Sequence, residues 1–355
     1  MSIVDNIETS RVRPGEELNE TALAVLIRSR FGDLGELQVS QFPAGSSNLT
    51  YLVKFEDAEY VLRRPPFGNT VRTAHDMRRE FEVLSKLSET YGPAPKPLIF
   101  CDDPGVIGSD FYLMERRHGI IIRGRAPREL AVSREMQAKV CQNFIQNLAS
   151  LHKIDYKAAG LGDLGRPDGY NRRQVEGWSK RYFAAKSDEL PELERTITWL
   201  NDNIVSESGA ALIHNDYKFD NIVLDPSDLS RITAVLDWEM VTVGDPLMDL
   251  GTTLGYWMSA DAGEEMLNMP FNPRVLMENF ARTDLVEIYA NESGRDVSNV
   301  LFYYVFGTFK IAVIAQQIYA RYLKGFTKDE RFSGFGRFAD KLGQISYRAL
   351  QTMTI

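Results

Sequence analysis

Three oxygen-bearing side chains, Asp216, Asn221 and Asp237, occur within a short stretch whose spacing suits metal and proton chemistry. The sequence between Asn221 and Asp237 has two apolar runs around the turn formers 225–228, a pattern that predicts a tight hairpin. A hairpin returns the chain to its start, so we expect Asp237 to lie near Asn221. A carboxylate and an amide oxygen at one place would suit a hard cation such as Mg²⁺. Asp216 is expected one loop away from that cation.

This stretch resembles the functional core of a known fold. The pattern His-x-Asp-x-x-x-x-Asn at 214–221, followed by Asp237, resembles the catalytic loop and metal-binding aspartate of the protein-kinase-like fold. Asp-Trp-Glu at 237–239 and Gly-Asp-Pro-Leu-Met-Asp-Leu at 244–250 are similar more specifically to the aminoglycoside phosphotransferase family. Within that family, Tyr-Val-Leu-Arg-Arg-Pro-Pro at 60–66 resembles the phosphotransferase-like domains associated with acyl-CoA dehydrogenases.

The resemblance implies roles for the residues of the loop. Asp216 would accept or orient the proton of an attacking hydroxyl, and Lys218 would stabilise charge on the transferring phosphate. Asn221 and Asp237 would hold Mg²⁺ on the phosphates of ATP. His214 is interpreted as a hydrogen-bonding support for the loop rather than as the base.

The resemblance also implies a site for the nucleotide phosphates. Small residues between the first two predicted strands occupy the position of the phosphate-covering loop, where backbone N–H groups approach phosphates. Those proposed to contact the nucleotide are Gly45, Ser46, Ser47 and Asn48. Arg63 stands where the family places a phosphate-pairing lysine, and Glu80 is its expected partner. Guanidinium can replace the lysine because it is always charged and binds carboxylate and phosphate in a fork. A plain structural ion pair is the alternative for these two residues.

The adenine site is expected at the segment that resembles the hinge between lobes. Met114 would line the adenine pocket, and the backbones of Glu115 and Arg117 would bond the edge of the base.

Three further residues are interpreted as structural. Asp245 and Asp249 are predicted to be loop and helix-capping residues. His152 ends an apolar helical stripe, and it resembles a family position that braces the catalytic loop.

The elements that position these residues fall into two groups. The first third of the chain predicts strands and a main helix over 75–90, whereas helical periodicity dominates later, apart from a β-rich island at 212–236. We therefore predict an α+β, protein-kinase-like, two-lobed fold. Its small β-rich lobe with one main helix would span 1–115 and bind nucleotide, and its larger, mostly helical lobe would span 116–355 and carry catalysis and the substrate site.

Composition excludes several classes of function. The 355 residues carry a net charge of −8, the wrong sign for neutralising nucleic-acid phosphates. The sequence predicts a reducing compartment, the cytoplasm. Its two cysteines lack the spacing of metal ligands, and its N-terminus does not resemble a signal peptide. Charged and amide residues interrupt the apolar segment 300–322, which we interpret as a buried core helix and not as a membrane span.

Together these features predict an ATP- and Mg²⁺-dependent kinase acting on a hydroxyl of a small molecule. A protein kinase is less favoured, because only 11 residues separate Asp237 from Asp249, too few for a long activation segment. A catalytically silent nucleotide-binding protein and a true aminoglycoside kinase remain alternatives.

The acceptor is predicted from charge. Five arginines and no acid occur among the 13 residues 116–128. A cationic aminoglycoside would be repelled there, so we predict an anionic acceptor, a hydroxyacid or its acyl-CoA ester. A solvated basic surface unrelated to substrate is the alternative.

Overall fold

The protein is described by a computed structural model, which covers residues 9–43, 48–67, 76–124, 126–258, 262–269, 271, 273–326 and 330–355. The chain divides into two compact units, Met1–His118 and Gly119–Ile355. The elements of the first unit are α1 Glu20–Phe31, β1 Gln38–Gln41, β2 Leu49–Lys54, β3 Glu59–Arg64, α2 Met77–Leu87, β4 Pro97–Cys101, α3 Pro104–Ile107 and β5 Phe111–Glu115.

The first unit is built on an antiparallel sheet with strand order β1-β2-β3-β5-β4. Tyr51, Leu62 and Leu113 lie opposite one another on three neighbouring strands, so their side chains share one side of the sheet, where they are fully buried. On α1, Leu23 and Ile27 are four residues apart and therefore share the helix face that packs into the same core.

The second unit is mostly helical and contains two small antiparallel sheets, one pairing Ala211–Ile213 with Thr242–Gly244 and the other pairing Ile222–Asp225 with Asp228–Val235. Its helices are α4 Arg128–Val132, α5 Arg134–His152, α6 Tyr170–Ala185, α7 Pro191–Asp202, α8 Pro246–Tyr256, α9 Glu264–Leu267, α10 Arg274–Met277, α11 Arg282–Ser293, α12 Val300–Leu323 and α13 Phe335–Thr352. Its strands are β6 Ala211–Ile213, β7 Ile222–Asp225, β8 Asp228–Val235 and β9 Thr242–Gly244. Single 3-10 turns occupy Gly162–Leu164, Phe219–Asn221, Trp238–Met240 and Glu330–Phe332.

Helix α12 runs through the core of the second unit, as the sequence predicted. Its 24 residues pack against α6, α7, α8 and α13. The helix is long and apolar enough to cross a membrane by composition, but 78% of its most apolar window is buried inside the protein, and the core helix of a soluble protein meets the same criterion.

Helices α8 and α12 cross in close contact because each has a glycine at the crossing. A Cβ atom added at Gly251 would collide with the carbonyl oxygen of Tyr303, and one added at Gly307 would collide with the carbonyl oxygen of Gly251. Glycine is therefore required for the backbones to approach this closely. The crossing brings the polar side chains of both helices against the loop that follows β6.

Candidate active site

The predicted hairpin forms, and it brings the backbones of Asn221 and Asp237 together. β7 and β8 pair antiparallel, and the Leu236 N–H donates to the Asn221 carbonyl oxygen at 2.8 Å. Asp237 follows directly and has a φ of 67°, in the left-handed region that non-glycine residues rarely adopt. Backbone strain of this kind clusters at functional sites. The backbone geometry on which the metal-site hypothesis depends is therefore present.

The carboxylate of Asp216 accepts hydrogen bonds from three side chains. The Lys218 ammonium Nζ lies 3.1 Å from Oδ1 and 2.8 Å from Oδ2. The Asn221 amide donates to Oδ2 at 3.0 Å, and the Tyr256 hydroxyl donates to Oδ1 at 2.8 Å. The Asp216 side chain keeps 15% of its surface exposed to solvent.

Charge at this point is balanced between Asp216 and Lys218. Burial of Lys218 disfavours its ammonium form, but the attraction and hydrogen bond of Asp216 outweigh burial and raise the pKa of Lys218. Lys218 also lies over the Tyr256 ring, 4.7 Å from its centroid. The lysine is therefore a permanent cation beside the carboxylate.

Helix α8 holds the loop through one face. Asp249, Thr253 and Tyr256 are spaced at i, i+4 and i+7 and so project from the same side of the helix. Asp249 accepts the backbone N–H groups of the residues at 214 and 215, at 2.7 Å each. The Thr253 hydroxyl donates to the carbonyl oxygen of Tyr217 at 2.9 Å. Asp245 caps the helix by accepting the Leu247 N–H at 3.0 Å, which agrees with the structural roles predicted for Asp245 and Asp249.

The residue before the expected base is also held by a buried lysine of α12. Asn215 has a φ of 68°, and the ammonium of Lys310 in α12 donates to its carbonyl oxygen at 2.7 Å. The Asn215 amide donates to the carbonyl oxygen of Met240 at 3.0 Å. Lys310 is only 2% exposed. Burial lowers the pKa of Lys310 to about 8, although Asp249 and Asp216 oppose that shift.

The two histidines near the loop have the supporting roles that the sequence predicted. The Asp216 N–H donates to His214 Nδ1 at 3.2 Å, so Nε2 carries the proton and donates to the Leu236 carbonyl at 2.9 Å. Burial lowers the pKa of His214 and keeps its ring neutral. His152 Nε2 lies 3.1 Å from Asp249 Oδ2. Burial raises the pKa of Asp249, but the hydrogen bond and charge of His152 outweigh burial and lower it.

The donor set at Asn221 and Asp237 fits a magnesium ion. The Asn221 amide nitrogen donates to the backbone carbonyl and side chain of Asp216, so the amide oxygen points the other way. Mg²⁺ usually takes only one or two ligands from the protein, because phosphate and water oxygens complete its coordination shell. One amide oxygen and one carboxylate oxygen match that number. Within the described ranges, no cluster of three or more His, Cys, Asp or Glu side chains offers a metal site.

The first unit contains the residues predicted to bind phosphate. Arg63 on β3 and Glu80 on α2 are buried, with Arg63 Nε 3.5 Å from Glu80 Oε2. Asn48 at the start of β2 is buried as well. Gly45, Ser46 and Ser47 lie outside the described residues.

The predicted adenine-contact residues end strand β5. Met114 is buried and pairs with Val61 of β3. The Glu115 N–H donates to the Lys96 carbonyl at 2.9 Å, so the carbonyl is the backbone atom through which Glu115 could contact a base. The Arg117 guanidinium pairs with the Glu115 carboxylate at 2.7 Å.

Two arginines of the basic run at 116–128 pair with carboxylates. Arg116 pairs with Glu59 of β3, and Arg117 pairs with Glu115 of β5, so both of these charges are balanced locally. Arg123 lies 3.8 Å from Asp220, with 44% of its side chain exposed. Arg125 lies outside the described residues.

Comparison with known proteins decides the family. The model of the phosphotransferase enzyme family matches residues 38–270, well over half of the 355 positions. The chain belongs to the phosphotransferase enzyme family. This confirms the aminoglycoside phosphotransferase resemblance that the loop and hairpin motifs indicated.

Curated relatives confirm the narrower resemblance within the family. The chain is 34% identical over 314 residues to acyl-CoA dehydrogenase family member 11 of Gallus gallus, covering 87% of this chain and 40% of the relative. It is 30% identical to acyl-CoA dehydrogenase family member 10 of Mus musculus, covering 96% of this chain and 32% of the relative. The chain thus spans well under half the length of these relatives.

Solved structures confirm the protein-kinase-like fold expected for the family. A candidate aminoglycoside phosphotransferase from Ralstonia eutropha has a TM-score of 0.79 and 28% identity, with 95% of this chain and 99% of that chain covered. Choline kinase from Cryptosporidium parvum has a TM-score of 0.65 at 12% identity, with 94% and 97% covered.

Two residues of the site were missed by sequence reasoning. Tyr256 is seven residues beyond Asp249 on the same helix face, a spacing that could have indicated it. Lys310 is one of the charged residues that interrupt the apolar segment 300–322, and the sequence pattern alone assigned it no role in the site. A lone lysine within an apolar helix is itself a signal, because burying an ammonium requires a polar partner.

Proposed function

We propose that the chain is an ATP- and Mg²⁺-dependent phosphotransferase that transfers the γ-phosphate to a hydroxyl of a small molecule, with Asp216 as the base. The observation that carries this proposal is the partly exposed Asp216 carboxylate, held by Lys218, Asn221 and Tyr256. The left-handed backbone at Asn215 supports it, since such strain persists only where the surroundings enforce it.

The residues of the second unit account for the chemistry as follows. The acceptor hydroxyl oxygen forms a bond to the γ-phosphorus while the bond from that phosphorus to the bridging oxygen breaks, and ADP leaves with the electron pair. The hydroxyl proton passes to Asp216. Lys218 supplies positive charge beside the reacting group. Asn221 and Asp237 would hold Mg²⁺, which when bound neutralises phosphate charge and keeps the phosphates in line.

We assign nucleotide binding to residues of the first unit. Arg63 would contact the phosphates and be oriented by Glu80, with Gly45, Ser46, Ser47 and Asn48 covering the phosphates. Met114, Glu115 and Arg117 would contact adenine. The buried Arg63–Glu80 pair supports this assignment because a guanidinium fixed by a carboxylate loses little freedom when it binds phosphate.

An acceptor screen tests the proposal. ADP release is measured with Mg-ATP and a panel of hydroxyacids, hydroxyacyl-CoA esters, amino alcohols and aminoglycosides, and thermal shift with ATP is measured with and without Mg²⁺. We expect a Mg²⁺-dependent rise in Tm with ATP and ADP release with at least one acceptor. A rise in Tm without ADP release from any acceptor would instead identify a silent nucleotide-binding protein.

For the acceptor we propose an anionic hydroxyacid or its acyl-CoA ester. Two observations support this class. The first is that the relatives are named acyl-CoA dehydrogenase family members. The second is that Arg123 keeps an exposed guanidinium beside Asp220, and Asp220 belongs to the same loop as Asp216. Burial raises the pKa of Asp220, against the opposing charges of Lys218 and Arg123.

Charge reversal at Arg123 tests the acceptor class. In the Arg123→Glu variant we expect the KM for an anionic acceptor to rise about 5- to 30-fold, because an attraction of about 0.5–1 kcal/mol becomes a repulsion of similar size. The KM for ATP should stay within twofold. Arg172→Glu, the same change at an exposed position of α6, is the matched control. Equal acceptor KM values for the two variants would remove Arg123 from the acceptor site.

A further inference from the structure

The carboxylate of Asp216 has no spare capacity for another hydrogen bond in this structure. A carboxylate offers about four lone-pair directions, two on each oxygen. Lys218 and Tyr256 donate to Oδ1, and Lys218 and Asn221 donate to Oδ2. An acceptor hydroxyl must therefore replace one of these donors before it can give up its proton.

Of the three donors, Lys218 is the one with another expected partner. In the proposed function, Lys218 stabilises negative charge on the transferring phosphate. When its ammonium moves toward that phosphate, one hydrogen-bonding direction becomes vacant on each carboxylate oxygen of Asp216. Asn221 is fixed by its second hydrogen bond, to the Asp216 carbonyl at 2.9 Å. Tyr256 and Asn221 would then be the two donors that stay, one on each carboxylate oxygen.

Tyr256 is well suited to stay in place. It is the last residue of α8, is buried, and its ring packs edge-on against Phe271 with centroids 5.6 Å apart. Burial and the nearby Asp216 charge raise the pKa of Tyr256, so the phenol remains protonated and can only donate to the carboxylate.

We propose that Tyr256 is a positioning residue, whose hydroxyl fixes the plane of the Asp216 carboxylate when Lys218 turns to the phosphate, so that one oxygen direction is presented to the acceptor hydroxyl. This inference rests on the proposed function and deepens it. Without the Tyr256 hydroxyl, Lys218 is the one donor to Oδ1 among the residues that the structure describes, so the carboxylate turns about its remaining bond from Asn221 or retains the lysine. Either outcome slows proton transfer without affecting nucleotide binding.

The test compares Tyr256→Phe with a matched control in the same unit. Tyr182 donates to Glu194 at 3.0 Å, and Lys186 pairs with the same carboxylate at 2.7 Å, which reproduces the tyrosine–carboxylate–lysine arrangement outside the site. Tyr182→Phe therefore removes an equivalent hydroxyl. For each protein, kcat, the KM for ATP, the KM for the acceptor found by the screen and Tm are measured.

For Tyr256→Phe we expect kcat to fall about tenfold, with the KM for ATP unchanged. We also expect the KM for the acceptor to change much less than kcat, because the Tyr256 hydroxyl acts on the base and not on the bound acceptor. Tyr182→Phe should lower Tm and leave kcat and both KM values within twofold.

The outcomes separate this inference from the proposed function. Turnover by the wild type together with an unchanged kcat in Tyr256→Phe would overturn the positioning role and leave the function standing. Equal changes in Tyr256→Phe and Tyr182→Phe would also overturn it, because the effect would then be one of general stability. Absence of turnover in the wild type would overturn both.

Discussion

Replacing Asp216 by asparagine is expected to lower kcat by about 10²- to 10⁴-fold, the range that a positioned base contributes. The amide keeps the shape of the side chain but accepts no proton at neutral pH, and it leaves the Lys218 ammonium without its carboxylate partner at 2.8 Å. Affinity for Mg-ATP, measured by calorimetry, should change much less than kcat, because the base acts on the acceptor hydroxyl and not on adenine.

A carboxylate in the same hairpin provides the control for this variant. Asp228 lies at the exposed start of β8, and its carboxylate accepts hydrogen bonds from the backbone N–H and the hydroxyl of Ser230, within its own turn. Asp228→Asn should leave kcat within twofold. If Asp216→Asn also retained kcat within a few-fold, with ADP release still dependent on the acceptor, Asp216 would not be the base.

The second large effect is expected at Lys310, the buried lysine of α12. In Lys310→Met the carbonyl of Asn215 loses its donor, and we expect kcat to fall about 10- to 100-fold. A buried carbonyl without a donor costs about 1–3 kcal/mol. Asn215 has a left-handed φ, so we expect its backbone to relieve this cost by changing conformation. The displacement would pass directly to Asp216, the next residue.

Stability provides an independent measurement of the same residue. The pKa of Lys310 is lowered by burial from its usual 10.5 to about 8, so its ammonium form costs the folded state about 3 kcal/mol below pH 8. Between pH 8 and 10.5 the unfolded chain binds more protons at this lysine than the folded chain does, and stability therefore rises with pH.

Urea unfolding at pH 7, 9 and 10 separates the effect of the Lys310 titration on stability from the effect of the hydrogen bonds that Lys310→Met removes. The free energy of unfolding of the wild type minus that of Lys310→Met should increase across this range. The lost hydrogen bonds contribute an offset that does not depend on pH, so only the slope reports the buried ammonium. A difference that stays flat from pH 7 to 10 would contradict the burial of a chargeable lysine.

Sequence alone predicted the part of the site that depends on local structure. The hairpin from Asn221 to Asp237 follows from two apolar runs and a turn. The antiparallel pairing of its two strands brings Asn221 and Asp237 together. The supporting role of His214 follows from the same short stretch, together with the family resemblance.

The parts that sequence missed depend on contacts between distant segments. Tyr256 reaches Asp216 because α8 lies beneath the loop, and Lys310 reaches Asn215 because glycines allow α12 to cross α8 closely. The neutralisation of Arg116 by Glu59 likewise arises from sheet pairing across 57 positions. No spacing within one segment encodes such neighbours.

The hydrogen bond from Lys310 to Asn215 also bears on when the loop acquires its shape. It joins residues 95 positions apart, and contacts of long sequence separation are slow to form because the intervening chain must first be ordered. During synthesis, α12 follows the loop out of the ribosome. We therefore expect the loop to complete its left-handed bend only after α12 has been made and has docked, and a nascent chain that already contains Asp216 to lack a positioned base until then.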